Sequence, residues 1–269
     1  MTGKLEAARA AGLMTTKPHA LGPDYQEWKI ERARYHKEII EEKWQQAAGV
    51  PCERKAIIAG GLGGSGKTTV LVKYQELDAS QYMRIDPDSL KEALAKRHLL
   101  PEIPGFSPME SSDLAHEESS YLARQLARRA LADGKNIIWD ITMSSTESTS
   151  RRIDELREAG YEKVDGVFVE IPIETSIARS EARHRRGCDR YLAGEGLGGR
   201  HVPAEVIRAQ GDPEYGSINR RTFEQLKGRF DRWVLYDNSV DGREPTLLDS
   251  SGRAAKEPEA LARREKTVE

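Results

Sequence analysis

The sequence predicts an α/β fold in which a parallel sheet carries helices on both faces, and three observations predict it. Five short apolar runs read as strands: one from Lys55 through Ala56-Ile57-Ile58-Ala59, then Tyr82 to Ile85, Asn136 to Ile141, Val164 to Ile171 and Trp233 to Tyr236. Segments of helical period lie between them, and alternation of that kind builds parallel sheets covered on both sides. The first run stops at a cluster of glycines, the strand-loop-helix order in which a backbone wraps around an anion.

Each element has its own signal. Residues 1–22 are small, polar and without period, which predicts a flexible leader. Pro23-Asp24 with Glu27 resembles a capped helix start, and Trp28, Ile39, Ile40 and Trp44 give an apolar edge to a charged accessory helix ending near Gly49-Val50-Pro51. Helices are predicted over Thr68–Leu77, Ser89–His98, Leu114–Ala132, Thr146–Ala159, Glu174–Leu192, Ala204–Ala209 and Ile218–Phe230. In the third of these, Leu122, Leu126 and Ala130 recur every fourth position and Gly134 ends the pattern. The organisation is thus a leader with its helix over 1–54, one domain over 55–239, and a mobile tail over 240–269.

At 269 residues, 38% hydrophobic and 32% charged, the chain is polar but rich enough in apolar residues to bury a core. Its 42 Lys and Arg nearly cancel 44 Asp and Glu, so the net charge of −2 gives no global attraction to nucleic acid or to an anionic membrane. No run approaches the ~18 apolar residues of a membrane span, and Met1 to Met14 lacks the apolar core of a signal peptide, so a cytoplasmic protein is expected. Cys52 and Cys188 are too few for a disulfide framework or a cysteine-based zinc site and read as reduced thiols.

Gly61-Leu62-Gly63-Gly64-Ser65-Gly66-Lys67-Thr68 fits the phosphate-binding pattern G-x-x-x-x-G-K-[ST] without departure. Its glycines let successive N–H groups point inward at a β-phosphate, and the helix that follows adds its positive end. Lys67 is placed to reach the β- and γ-phosphates of ATP, and the Thr68 hydroxyl to ligate Mg²⁺, with Thr69 completing the nucleotide-contacting stretch. The chain has neither the N-K-x-D motif that reads guanine nor an Asp-Glu strand end of the motor ATPase type.

Asp86-Pro87-Asp88 follows the second strand, where the carboxyl ends of strands line the ligand crevice. One carboxylate there suits a hydroxyl proton and the other a metal shell or a neighbour; the plainer alternative is a turn in which Asp88 caps the next helix. Asp140 sits at the equivalent end of the third strand, as an acceptor contact, a water-mediated Mg²⁺ contact, or a solvated strand end. His116 and Ser120 share a helix face and read as acceptor contacts. Arg179, Arg183, Arg185, Arg186 and Arg190 crowd one helix before Gly194-Glu195-Gly196-Leu197-Gly198-Gly199-Arg200, a pattern that suits a hinged lid closing guanidinium groups over a triphosphate or, more plainly, a solvated basic face.

This ordered set, continued through Asn136-Ile137-Ile138-Trp139-Asp140-Ile141-Thr142 and ending at Gly199-Arg200-His201-Val202-Pro203, resembles the zeta toxin family over roughly residues 55–236. The resemblance implies a P-loop NTPase fold like that of nucleoside-monophosphate kinases with an Arg/Gly-rich lid. It implies a cytoplasmic kinase that phosphorylates the 3'-hydroxyl of the sugar in UDP-N-acetylglucosamine, and an antitoxin partner. It further implies Lys67 and Thr68 for ATP and Mg²⁺, Asp88 as the base, Arg200 with Arg186 or Arg190 as the phosphate clamp, and Asp86, His116, Ser120, Asp140 and Thr142 toward the acceptor. Asp140 stands where the family often has Glu. Two other readings stay open on the residues: a kinase of another small acceptor, such as a dinucleotide, nucleotide or antibiotic, and a binding module in which ATP only orders the lid.

Overall fold

The computed structural model describes residues 2–75 and 77–252. Four strands come first: β1 (Lys55–Gly60), β2 (Met83–Ile85), β3 (Ile137–Asp140) and β4 (Lys163–Glu170). A small antiparallel ladder, β5 (Gly211–Asp212) with β6 (Gly216–Ser217), precedes β7 (Arg232–Asp237) and β8 (Thr246–Ser250). The main sheet runs β2-β3-β1-β4-β7-β8. Its first five strands are parallel, as the alternation with helices predicts, and β8 closes the edge antiparallel to β7.

Both faces of the sheet are buried, which is why β1 reads as an unbroken apolar run. Ala56 and Ile58 of β1, with Ile137 and Trp139 of β3, look to one side. There they meet Leu90 and Leu94 of α5 (Pro87–Lys96), Leu122 and Leu126 of α6 (His116–Ala132), Ile153 and Leu156 of α7 (Thr146–Glu158) and Phe223 of α10 (Ile218–Leu226). Ile57, Ala59, Ile138, Val167 and Val169 look to the other side, against Val70 and Leu71. Register then fixes the crevice: Ala59 is level with Asp140 and Ile85 with Trp139, so the turns after β1, β2 and β3 leave the sheet side by side.

The helix predicted after the glycines is shorter than its pattern. Lys67–Thr69 forms one α turn, α4, and Val70–Tyr74 continues as a π turn, a geometry often found beside functional sites. Two terminal expectations need correction. The leader is helical, as α1 (Thr2–Ala10), with Leu5 and Ala8 buried against Leu114, and Thr15 N–H donates to the Leu114 carbonyl over 3.0 Å. Leu5 and Ala8 are three apart, a stripe too short to stand out in a polar segment. Likewise, within 240–269 the residues Thr246–Ser250 pair with β7, and Leu247 packs near Tyr236. Residues 253–269 of the predicted tail lie outside the described residues.

The accessory helix is α3 (Ile30–Gln46), starting later than predicted because a two-strand bridge, Ala20 to Trp28, occupies the approach. It turns Arg32, His36 and Ile39 inward at helical spacing. Arg32 Nε and Nη2 donate to the two oxygens of Glu118 on α6 over 2.6 and 2.8 Å, and His36 Nε2 lies 2.7 Å from Oε1. Arg32 Nη2 also donates to the Leu99 carbonyl over 2.7 Å. The accessory helix is therefore bolted to the sheet-and-helix core by a buried charge. No helix among the described residues is long and apolar enough to cross a membrane.

Burial alone would raise the Glu118 carboxyl, but the hydrogen bonds from His36 and Arg32 bring it down to about 2 from an ordinary 4.5. Its folded pKa lies below its unfolded one, so its stabilisation is complete above about pH 4.5 and is lost as pH falls toward 2. Glu118→Gln, which strands the buried Arg32, is expected to cost about 3–5 kcal/mol at pH 7. Urea unfolding of both proteins at pH 7 and near pH 3 checks this: the gap between them should narrow on acidification.

Candidate active site

The glycine loop leaves β1 at Gly60 and closes at the first turn of α4. Gly61, Gly64 and Gly66 take φ of 135°, 77° and 85°, conformations that side chains resist. At Gly61 a Cβ would meet the Val169 carbonyl at 2.3 Å, and at Gly66 the Asn238 amide at 2.4 Å. The chain thus has to be glycine here to pass between β4 and the segment after β7. Neighbours hold the loop open from behind. Ser176 Oγ donates to the Gly63 carbonyl over 2.7 Å, Arg179 Nη1 to that of Gly64 over 3.2 Å, and Asn238 Nδ2 to that of Ser65 over 2.7 Å. Leu62 is buried, and so is the Ser65 hydroxyl, which finds no hydrogen-bond partner among the described residues; Thr68 and Thr69 are exposed at the helix start.

Lys67 folds back over this loop. Its ammonium donates to the Gly61 carbonyl over 3.1 Å and stands 3.7 Å from Asp140 Oδ1, and burial, opposed by the charges of Asp140 and Asp86, lowers its proton affinity. Asp140 takes Arg84 on its other oxygen. With its loop carbonyls spoken for and its ammonium half-neutralised, Lys67 is oriented inward before any ligand arrives.

The two aspartates after β2 divide the labour. Asp86 is the N-cap of α5, its side chain accepting from the Asp88 N–H over 3.0 Å with Pro87 at the first helical position. Capping therefore falls to Asp86, and the Asp88 carboxylate is left to face the crevice from the first turn. Burial and the nearby Asp140 charge push Asp86 up, against Arg84, Arg200 and Lys67. Asp88 is ion-paired to Arg200, and Lys91, one turn on, reaches its Oδ1 at 3.5 Å. Lys91 is itself buried. His116 opens α6 on this side, where burial and then the charge of Lys91 lower its imidazole's proton affinity; Ser120 lies one turn further and is half-buried. Thr142 contributes its carbonyl, accepting from Gly61 N–H at 3.3 Å and Asn219 Nδ2 at 2.8 Å, while its side chain is exposed.

Arg200 reaches the crevice through its ion pair with Asp88, whereas the arginines upstream spread along their helix. Arg179, Arg183, Arg186 and Arg190 form one stripe along α8 (Ile173–Leu192), a stripe about 16 Å long at 1.5 Å per residue. Only its near end meets the loop. Arg179 holds Gly64, Asn238 and Asp241, and the charge of Arg183 acts on Lys67. Arg183 and Arg186 are both exposed, but only the first is close enough for its charge to act on Lys67, and Arg190 pairs with Glu195 at 3.5 Å on the open surface. Distance along the helix, which spacing alone does not give, sets Arg186 and Arg190 farther from the loop than Arg179. Of the glycines after α8, Gly194 and Gly196 stand in open space at positive φ, whereas Gly198 and Gly199 are packed, as is Gly187 within the helix. A Cβ at Gly187 would meet Gly199 Cα at 2.5 Å and one at Gly198 the Ser107 hydroxyl at 1.9 Å, so these glycines pack the segment down and set Arg200 in place.

Sequence reasoning overlooked Lys91, Arg84 and Asn238 as parts of this site, and it singled out Arg179 and Arg183 only as members of the arginine-rich helix. Spacing pointed to Lys91, three residues past Asp88 on a helix, and to Arg179 with Arg183, four apart. Asn238 had no signal, because it arrives from a distant strand end.

The zeta toxin family model matches residues 42–241. No curated protein matches the chain. Among solved structures, the AvrRxo1-ORF1:AvrRxo1-ORF2 complex with sulphate ions is similar at a TM-score of 0.65 and 21% identity, over 88% of this chain and 76% of that one. The same complex with ATP gives 0.64 and 20% over the same shares. A structure of the PezAT chromosomal toxin-antitoxin system of Streptococcus pneumoniae gives 0.58 and 18%, over 84% of this chain and 83% of that one. Likeness at these identities speaks to the fold alone, a mostly parallel sheet flanked by helices with a phosphate-binding loop after its first strand. With a family model spanning most of its described residues, the chain belongs to the zeta toxin family.

Proposed function

We propose that this protein is an ATP-dependent kinase that phosphorylates a hydroxyl of a small anionic acceptor, most specifically the 3'-hydroxyl of the sugar in UDP-N-acetylglucosamine or a related sugar nucleotide. The observation that carries the reading is the meeting, at the carboxyl ends of β1, β2 and β3, of a glycine cradle with Lys67 and of an unburied Asp88 facing Arg200. A pure nucleotide switch has no use for the second half of that pair.

The residues fit a nucleotide and its metal. The Gly61, Gly64 and Gly66 backbone is a cradle that any Cβ would obstruct, and Thr68 presents an exposed hydroxyl at the helix start where Mg²⁺ is held in such loops. ATP bound there supplies the phosphoryl group, and Mg²⁺ offsets its charge. Lys67 and Asp140 orient the loop side, and Thr68 would hold the metal there. Arg200 and Arg183 supply guanidinium groups for the oxygens of the moving phosphoryl. Asp88 takes the acceptor's hydroxyl proton as the oxygen attacks, giving ADP and a phosphomonoester. In the structure Arg200 neutralises Asp88. When Arg200 turns to phosphate it leaves that carboxylate more basic, so nucleotide binding arms the base. Lys91 and His116 beside Asp88 suit an acceptor that carries phosphates of its own. The toxin-antitoxin complexes among its structural neighbours support a protein antitoxin as its partner.

Incubation with labelled ATP and a panel of sugar nucleotides, dinucleotides and nucleotides tests the reading. A single acceptor of the first class should gain one phosphate; nucleotide binding with no phosphorylated product from any acceptor would leave only a binding module. Asp88→Asn is expected to lower kcat by about 10²–10⁴-fold with little change in ATP affinity. Arg200→Ala is expected to lose about 10³-fold or more. Arg183→Ala should fall well below wild type while Arg190→Ala stays close to it, and equal losses from the two would overturn the assignment made from the α8 stripe.

A further inference from the structure

Away from the crevice, three metal-ligand side chains from two separate elements meet. Glu110 belongs to the 3-10 segment Pro108–Ala115 before α6, while His184 and Cys188 stand one turn apart on α8. His184 Nε2 lies 3.1 Å from Glu110 Oε1, Cys188 Sγ lies 3.3 Å from His184 Nε2, and the three atoms all fall within 4.8 Å of one another. The four-residue spacing keeps His184 and Cys188 on one helix face. Glu110 is buried, and its other oxygen is already committed. Oε2 accepts the Ser107 N–H over 2.7 Å and the Ser107 hydroxyl over 2.8 Å, which turns Oε1 toward the imidazole and the thiol. Outer hydrogen bonds of that kind are how ligating carboxylates are held in place. The Gly199 N–H donates to the Cys188 sulfur, and the His201 ring lies edge-on to His184 with centroids 5.3 Å apart.

We propose that Glu110, His184 and Cys188 form a site for a divalent transition ion of the zinc type, with His201 bordering the fourth position. One carboxylate, one thiolate and one neutral imidazole match the charge of such an ion and the mixed O, N and S donors it accepts. Ligand bonds of about 2.0–2.3 Å place donors of a tetrahedral ion roughly 3.4–3.6 Å apart. The two short contacts here therefore open by only a few tenths of an ångström. On binding, the Cys188 thiol gives its proton to solvent, the His184 ring proton resides on Nδ1, and the Nε2 and sulfur lone pairs bond the ion. The ion would tie α8 to the 3-10 segment and, through Gly199 and His201, fix the two neighbours of Arg200. The site does not depend on which acceptor the kinase uses, nor on its being a kinase.

The test uses the full chain, stripped with a chelator and titrated with Co²⁺ and then Zn²⁺. One equivalent of Co²⁺ should produce a thiolate-to-cobalt absorption band that Zn²⁺ abolishes. Cobalt held in the nucleotide crevice has the Met143 thioether nearby, beside Gly60, but neither Cys52 nor Cys188 among its described lining residues, and so gives no thiolate band. Cys188→Ser should lose the band, Cys52→Ser should keep it, and His184→Gln should weaken Zn²⁺ binding by at least about 10-fold. Cys188→Ser is nearly isosteric, so the result stands even if Glu110→Gln disturbs the Ser107 turn and fails to fold. Absence of the band in the wild type, or its survival in Cys188→Ser, overturns the proposal.

Discussion

An ammonium group buried beside its own loop is the constraint around which this crevice is arranged. Isolated in a dry pocket, Lys67 would shed its proton, and with it its hold on phosphate. Asp140 prevents that from 3.7 Å away, and it stands there because β1 and β3 pair with Ala59 level with Asp140. Arg84 compensates Asp140 in turn, while Asp86, a like charge that burial and Asp140 push up, is offset by Arg84, Arg200 and Lys67, so the charges at three strand ends are coupled. Removing any member unbalances the others.

Much of this was legible in the sequence because the governing rules are local. The glycine pattern, Pro87 at a helix start and the apolar runs each announce a geometry within a few residues, and the structure places those elements within a residue or two of expectation. What local rules did not decide was which of several chemically equal groups would be near. Four arginines share a stripe on α8, and only the packing of that helix against Gly64 separates Arg179 and Arg183 from the two further out. Capping was ambiguous for the same reason: two aspartates flank one proline, and only the backbone shows that Asp86 takes the cap.

The terminal segments were hidden by composition. α1 contributes two small buried side chains, and β8 a single half-buried leucine, amounts too slight to impose a period on polar sequence. α3 was visible as a helix, yet its inward face carries Arg32 and His36, which a reading based on apolar stripes assigns to solvent. Their partner, Glu118, lies 82 to 86 residues away in the chain. A buried polar cluster of this kind is specific in a way an apolar stripe is not, because only one docking of α3 satisfies all its hydrogen bonds.

The contact between Gly187 and Gly199 sets a gauge. Because two backbones touch there without intervening side chains, the separation between α8 and the strand of chain carrying Arg200 has one permitted value. A guanidinium at the end of a long, flexible stem is ordinarily an imprecise tool. Anchoring its Cα against bare peptide removes the slack at the root, so that the only freedom left to Arg200 is rotation of its own bonds between a carboxylate and an incoming anion.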